Sequence, residues 1–443
     1  MGLGLLGRGM GDTRMLAECG AKLVVTDLKS AEALASSLFA LKDFQNITYV
    51  LGEHRLEDFR ECDMVLKMSG VPLDSPYIAE ARARGISIEM SGALFARLSG
   101  IPIIGVTGTR GKSTVTHLIH HVLSQSTGEK ILLGGNVRGI SNLALLNEVT
   151  PESVAVMELD SWQLQGFDEV KMSPHIAVFT NFLDDHLNYY KHDRDAYFAD
   201  KAQIFLHQGA GDTLVTTPAV FARAEAYASA RGLTFAQEVV LVDESLVPED
   251  WTIPLVGKHN RLNVALACAA LRAAQVDDDT IRAGIETFHG LPGRLEYLGE
   301  HKGVKIYNDN NATTPDATIA ALRALGTQKN KHEKNIVLIM GGDDKNLDMS
   351  GLLAEIPRFC ATVVLFKERG TERIKEAVFA MKNIGMGVYE EEGLTPTVER
   401  AFAVAKSGDI ILYSPAFTSF GKYFANEYDR NDQFVAAVKN ITA

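Results

Sequence analysis

Gly105-Val-Thr-Gly-Thr-Arg-Gly-Lys-Ser-Thr114 is the stretch from which the rest of the chain can be read. The apolar run 101–104 before it reads as a short buried strand. Residues 115–123 after it carry apolar side chains at helical spacing. Strand, glycine loop, Lys-Ser and helix together make a phosphate-binding loop. Its backbone N–H groups face the anion, and the helix N-terminus adds a positive dipole end. In such a loop Lys112 reaches the β/γ-phosphates of a nucleotide and Ser113 sets its hydroxyl on Mg²⁺. The strict motif has a glycine where Val106 stands; here the glycines are Gly105, Gly108 and Gly111.

The 443 residues suit two or three domains, and 46% hydrophobic with 23% charged content is ordinary for a globular protein. A net charge of -12 argues against a nucleic-acid surface, which needs an excess of Lys and Arg. It leaves room for a phosphorylated ligand held locally by a glycine loop. Cys19, Cys62, Cys268 and Cys360 lie far apart and form no Cys-x-x-Cys pair. Neither a disulfide framework nor a zinc site is expected, and a reducing cytoplasm fits. No apolar run reaches the length of a membrane span, and the first residues lack a signal pattern, so no membrane partner is expected.

The chain opens Met1-Gly-Leu-Gly-Leu-Leu-Gly7, in which Gly2, Gly4 and Gly7 fit a dinucleotide-fold fingerprint. Lys22-Leu-Val-Val-Thr-Asp27 then reads as a strand ending in an acid, 20 residues past Gly7. The fingerprint should follow a strand, and none precedes it here. The expectation is a Rossmann-like first domain (1–95) that lacks its central strand and is the least stable part of the protein. Further strands are expected at 47–51, 63–67 and 85–89. On this pattern the domain could hold NAD, another nucleotide or no ligand.

The central domain (96–291) continues from the phosphate loop. Val154-Ala-Val-Met-Glu158 reads as a strand buried on both faces, with Glu158 at its C-terminal end, where nucleotide-hydrolysing folds hold a metal. Ile176-Ala-Val-Phe-Thr180 repeats the layout and leads to His186, a second candidate ligand. Lys201, on an amphipathic helix, reads as solvated. Asn260 could cap the helix that follows Gly257. Gly290-Leu-Pro-Gly-Arg294 reads as a linker into a third, Rossmann-like domain (292–443). Three strands there, 304–308, 336–340 and 409–413, end in polar or glycine residues, at the sheet edge where open α/β folds bind ligands.

Taken together, these motifs resemble the Mur ligase family over nearly the whole chain and in the same order. The resemblance implies an ATP-dependent acid–amino-acid ligase of cytoplasmic peptidoglycan synthesis, in the branch that adds D-glutamate to UDP-N-acetylmuramoyl-L-alanine, working as a monomer. It places ATP on Gly108, Thr109, Gly111, Lys112, Ser113, Thr114, Asn260, Asn263, Arg294 and Asp309. It places the UDP-substrate on Gly4, Leu5, Asp27, Ser69, Asn136 and Gln163. Two Mg²⁺ sites fall on Ser113, Glu158, His186 and Lys201, the last as a lysine carbamylated by CO₂. Lys112, Lys201 and His186 would be catalytic, and Thr313, Lys345 and Ser419 would hold the amino acid. The family chemistry phosphorylates the substrate carboxylate, and the incoming amine attacks the resulting acyl phosphate.

The chain departs from the family pattern at four points. Arg110 stands where asparagine is frequent, and Asp160 where serine is usual. Asn311 stands for a lysine and Asn426 for an aromatic residue. The last two bear on the amino-acid pocket and keep L-glutamate open as the alternative acceptor. A folylpolyglutamate-type ligase would lack the nucleotide-fold first domain. An NAD-dependent oxidoreductase would leave the phosphate loop and Glu158 without a role.

Overall fold

Short β-branched runs form parallel strands with helices packed between them in the computed structural model of the chain, which describes all residues except 5–6, 127, 186–188, 327–333, 420 and 443. The chain folds into two compact units, one of residues 1–251 with 262–285 and the other of 252–261 with 286–443.

The first unit opens with β1 (Leu23–Asp27), β2 (Ile47–Leu51), β3 (Met64–Leu66) and β4 (Ser87–Glu89). They form two separate parallel pairs, β1 with β2 and β3 with β4. Met1 and Gly2 lie between the pairs. The Gly2 N–H donates to Thr26 O (2.8 Å), the Met1 amine to Leu66 O (2.8 Å), and the Met68 N–H to Met1 O (3.1 Å). Beyond Met1 the facing edges of β1 and β3 stay apart, around a cavity of about 560 Å³ lined by Leu16, Leu23, Val25, Cys62, Met64 and Leu66. Leu23 and Asp27 bond toward β2, so by strand alternation Val24 turns its N–H and C=O toward the cavity. The expected lack of a central strand therefore takes the form of this open slot. Among the described residues the apolar side chains gather in two small clusters, Phe59, Val65, Ile78, Ala81 and Ile88 in one, and Leu3, Val25, Leu34 and Leu41 in the other.

The same unit contains a six-stranded parallel sheet of β5 (Ile103–Thr107), β6 (Ile131–Gly135), β7 (Val154–Glu158), β8 (Ile176–Phe179), β9 (Thr213–Thr216) and β10 (Glu238–Leu241), in the order β10-β9-β8-β5-β7-β6. Every residue of β5 is buried, as expected for a strand covered on both faces. Its neighbours in the sheet are β7 and β8, so three strand ends meet at the phosphate loop. The N-terminal region is tied to this sheet by Asp12, which accepts from Ser141 Oγ (2.6 Å) and the Leu143 N–H (3.2 Å).

The second unit is built on β11 (Glu296–His301), β12 (Val304–Asn308), β13 (Ile336–Met340), β14 (Cys360–Phe366), β15 (Gly387–Glu391) and β16 (Ile410–Tyr413). The order is β11-β12-β16-β13-β14-β15, parallel except for β11. Hydrophobic clusters cover both faces, and β13 is wholly buried. Among the described residues no helix is long and apolar enough to cross a membrane.

Small separate cores and strands paired only two by two are expected to make the first 90 residues the least stable region. In native-state hydrogen exchange, amides of β1–β4 should lose protection well before those of β5, β7 and β13. Equal protection in all of them would contradict this ranking.

Candidate functional site

β5 passes through Gly108–Gly111 into the helix Lys112–Ser126. Gly108 holds φ 142° and Gly111 φ 84°. A side-chain carbon at Gly108 would overlap Thr180 Oγ1, and one at Gly111 would overlap Asn263 Oδ1. Both positions therefore require glycine. Asn181, just past β8, clamps the loop from outside. Its carbonyl accepts from the Thr109 N–H (2.9 Å), and its Oδ1 from the Arg110 N–H (2.9 Å). Thr109 Oγ1 accepts from the Leu183 N–H (2.9 Å), and Arg110 pairs with Asp185 (2.8 Å). Ser113 and Thr114 open the helix and are mostly buried.

Two lysines converge on this loop. Lys112 Nζ donates to Gly108 O (3.1 Å) and Thr109 O (3.3 Å). Lys201 Nζ donates to the same Gly108 carbonyl (2.9 Å) and is 1% exposed. The reading of Lys201 as solvated is therefore corrected: its helix, Arg194–Ala202, turns that face into the protein toward the loop. Burial first, and then the charge of Lys112, pull the Lys201 pKa well below the usual lysine range.

On the other side of β5, Glu158 ends β7 and is 5% exposed, with no side-chain hydrogen bond or ion pair among the described residues. A buried carboxylate in that position suits a cation. The Ser113 hydroxyl at the start of the helix after β5 is, like this carboxylate, a hard oxygen group of the kind Mg²⁺ prefers. The described residues hold no cluster of three or more His, Cys, Asp or Glu, and His186 and Leu5 lie outside the described residues.

The residues read as UDP-substrate contacts lie in the same unit. Asp27 spends both oxygens on backbone N–H groups: Oδ2 accepts from Leu3 (2.9 Å) and Gly4 (3.0 Å), Oδ1 from Lys29 (2.9 Å). Burial works to raise its pKa, but these bonds and the Lys29 charge hold it below the ordinary value. Asn136 accepts from Arg8 Nη1. Gln163 forms a capping box with Asp160 at the start of the helix Ser161–Glu169: the Gln163 N–H donates to Asp160 Oδ1 (2.8 Å), and the Asp160 N–H to Gln163 Oε1 (3.2 Å). The departure at Asp160 therefore has a local structural reason.

In the second unit, Lys345 Nζ donates to Thr313 Oγ1 (3.3 Å). Asp343 and Thr418 exchange backbone bonds (3.0 and 3.1 Å), which brings the segment carrying Ser419 alongside the one carrying Lys345. Among the described residues the buried Ser419 hydroxyl has no hydrogen-bond partner. Asp309 accepts from Ser414 Oγ (2.9 Å) and the Leu295 N–H (3.1 Å), next to Arg294, whose charge acts on it. Asn426 caps the last helix, accepting from the Tyr428 and Asp429 N–H groups (both 3.0 Å). Asn260 does not cap the helix Lys258–Ala273. It is the third residue of that helix, and its amide nitrogen donates back to Val256 O (2.8 Å). Asn263 lies one turn on, in the first unit, against Gly111.

Sequence reading passed over Arg430, which is 0% exposed on the helix Glu427–Thr442. It donates to Asn310 Oδ1 (2.9 Å), Asn310 O (2.7 Å) and Phe417 O (3.0 Å), joining the segment before Thr313 to the one before Ser419. Its surroundings in sequence are polar, and no local pattern marks it as buried.

The Mur ligase middle domain matches residues 106–271, and the Mur ligase glutamate ligase domain matches 293–417. The chain is 37% identical to the UDP-N-acetylmuramoylalanine–D-glutamate ligase of Roseiflexus sp. (strain RS-1), over 100% of this chain and 98% of that one. This chain belongs to the Mur ligase family. The ligase of the same name from Geobacillus kaustophilus is 34% identical, over 99% and 97% of the two chains. Among solved structures, UDP-N-acetylmuramate-alanine ligase from Thermotoga maritima shares the fold, with TM-score 0.62 and 19% identity over 99% and 98%. The folylpolyglutamate synthase of Mycobacterium tuberculosis reaches TM-score 0.57 at 18% identity, covering 80% of this chain and 94% of its own.

Burial raises the pKa of Asp309 to about 7, against the opposing bonds from Ser414 and Leu295. Unfolded, the same carboxyl titrates near pH ~4. Between these values the folded state keeps a proton that the unfolded state has released, so stability falls as pH rises through this window. Thermal unfolding at stepped pH should show a shallower decline between about 4 and 7 for Asp309→Asn. Parallel curves for variant and wild type would remove the assigned titration.

Proposed function

We propose that this chain uses ATP to join D-glutamate to UDP-N-acetylmuramoyl-L-alanine, a step of peptidoglycan precursor synthesis, as a cytoplasmic monomer with no membrane or nucleic-acid partner. The reading rests on the 37% identity with the Roseiflexus ligase along the full length of both chains. The phosphate loop and the Thr313–Lys345 contact support it.

In this reading residues 1–95 bind the UDP-substrate, 96–291 bind ATP, and 292–443 bind the amino acid. A carboxylate is a poor acylating agent, so its oxygen first takes the γ-phosphoryl group of ATP and ADP leaves. The glutamate amine then attacks the carbonyl carbon, and phosphate departs as the C–N bond forms. The N–H groups of Gly108 to Thr114 and the Lys112 ammonium neutralise charge on the moving phosphoryl group. Asn260, Asn263, Arg294 and Asp309 take the adenosine side of ATP. Gly4, Asp27, Ser69, Asn136 and Gln163 orient the UDP-substrate. Lys345, Thr313 and Ser419 hold the glutamate, with the lysine charge meeting the side-chain carboxylate.

Ser113, Glu158, His186 and a carbamylated Lys201 would hold magnesium in two sites. Magnesium would supply further neutralisation of phosphate charge. Once deprotonated, the Lys201 amine can add to CO₂, forming a C–N bond and releasing a proton, which turns the lysine into an anionic oxygen donor.

Phosphate release from ATP with UDP-N-acetylmuramoyl-L-alanine should be stimulated by D-glutamate and not by L-glutamate. Stimulation by L-glutamate alone would reassign the pocket, and none by either would refute the reaction. Lys112→Ala should lower turnover on the order of 100- to 1,000-fold; near-normal turnover would refute the loop's role. Lys201→Ala should be inactive and partly restored by added short carboxylates. Full activity without them would exclude an essential carbamate.

A further inference from the structure

Lys67 follows β3 and is 1% exposed. Its ammonium makes one hydrogen bond, to the neutral carbonyl of Val71 (2.9 Å), and no ion pair among the described residues. It lines a small cavity with Arg8, Ser69, Ser91, Asn142 and Gln163. At about 10 Å³, the cavity takes one water-sized group. Burial draws the pKa of Lys67 down to about 8, and the largest opposing influence is the charge of Asp160. A lysine in such a place stays below full exposure at a cost unless an anion meets it.

A second observation points the same way. Arg8 is the first residue of the helix Arg8–Glu18, after Gly7 at φ 84°. That helix has no side-chain cap and no acid in its first turn. A cation at this end opposes the helix dipole, and a bound anion would offset both. Arg8 leans onto Asn136, so two cations and an uncapped helix end border one corner of the first unit.

We propose that Lys67 and Arg8 are the charge partners of the diphosphate in the nucleotide-sugar substrate, with one phosphoryl oxygen seated in the cavity beside Ser69. This rests on the proposed reaction only for the identity of that substrate. The diphosphate lies across the N-terminus of the helix Arg8–Glu18, Lys67 closes it from the β3 side, and Arg8 from the Asn136 side. The competing role for Lys67 is to balance Asp160.

The test uses the full chain and two readouts. One is KM for each of the three substrates in phosphate release; the other is calorimetric titration with UDP and with uridine. Lys67→Met should raise KM for UDP-N-acetylmuramoyl-L-alanine and Kd for UDP roughly 10- to 100-fold. It should leave KM for ATP and glutamate, and the weak affinity for uridine, unchanged. Its Tm should be equal or higher, because an apolar side chain replaces a buried charge. Arg8→Leu should shift UDP binding in the same direction.

Unchanged UDP affinity in Lys67→Met overturns the proposal. So does recovery of UDP affinity in the Lys67→Met, Asp160→Ser double variant, which would make Lys67 a counter-charge only. An equal loss for uridine, or a lowered Tm with all three KM values raised, assigns Lys67 a structural role and also overturns it. Failure of wild type to release phosphate with D-glutamate refutes the proposed reaction, while the UDP titrations still decide the role of Lys67.

Discussion

Gly108 passes so close beneath Thr180 that no side chain fits between them, and the nucleotide end of the protein depends on that approach. It exists because β5 lies between β7 and β8, so three parallel strands deliver their C-terminal ends to one place. With the backbone bare at Gly108, its carbonyl is reachable from two sides, and both Lys112 and Lys201 reach it. Asn181 then fixes the outer edge of the loop, and Glu158 arrives on the inner side from β7. A side chain at Gly108 would disturb every one of these relations.

Much of this was legible in the order of residues. β2, β7, β12 and β13 lie where their short, dense patterns put them, whereas β9, β10, β11, β14 and β15 were not read from the sequence. What could not be read was which partner a polar side chain chooses. Asp27 has the position of a ligand-binding acid and spends one oxygen on the glycine loop and the other on the Lys29 N–H. Asp160 and Asn426 stood out as departures because pattern reading compares residue types; in space each caps a helix end. Lys201 and Arg430 sit on helices whose sequences suit solvent, and tertiary packing buries both. Burial of one charged residue among polar neighbours leaves no periodic trace.

The second unit puts its polar groups where they are costly. Among the described residues Arg430 is buried against neutral acceptors and the Ser419 hydroxyl has no partner, and Asp309 holds a raised pKa. All three lie at the C-terminal ends of parallel strands or on the helix that braces them. Local rules are broken there while the hydrophobic faces of the same sheet obey them throughout. That contrast is what a site maintained for chemistry looks like in a fold that is otherwise consistent.

The slot between β1 and β3 has a consequence for the protein as a material. Among the described residues the edges of β1 and β3 do not pair there, and Met1 and Gly2 reach Leu66 O and Thr26 O at one end of the gap. Such edges are templates, and any extended chain of suitable polarity can register against them. An extended segment seated in the slot would join the two strand pairs into one sheet and merge their small cores.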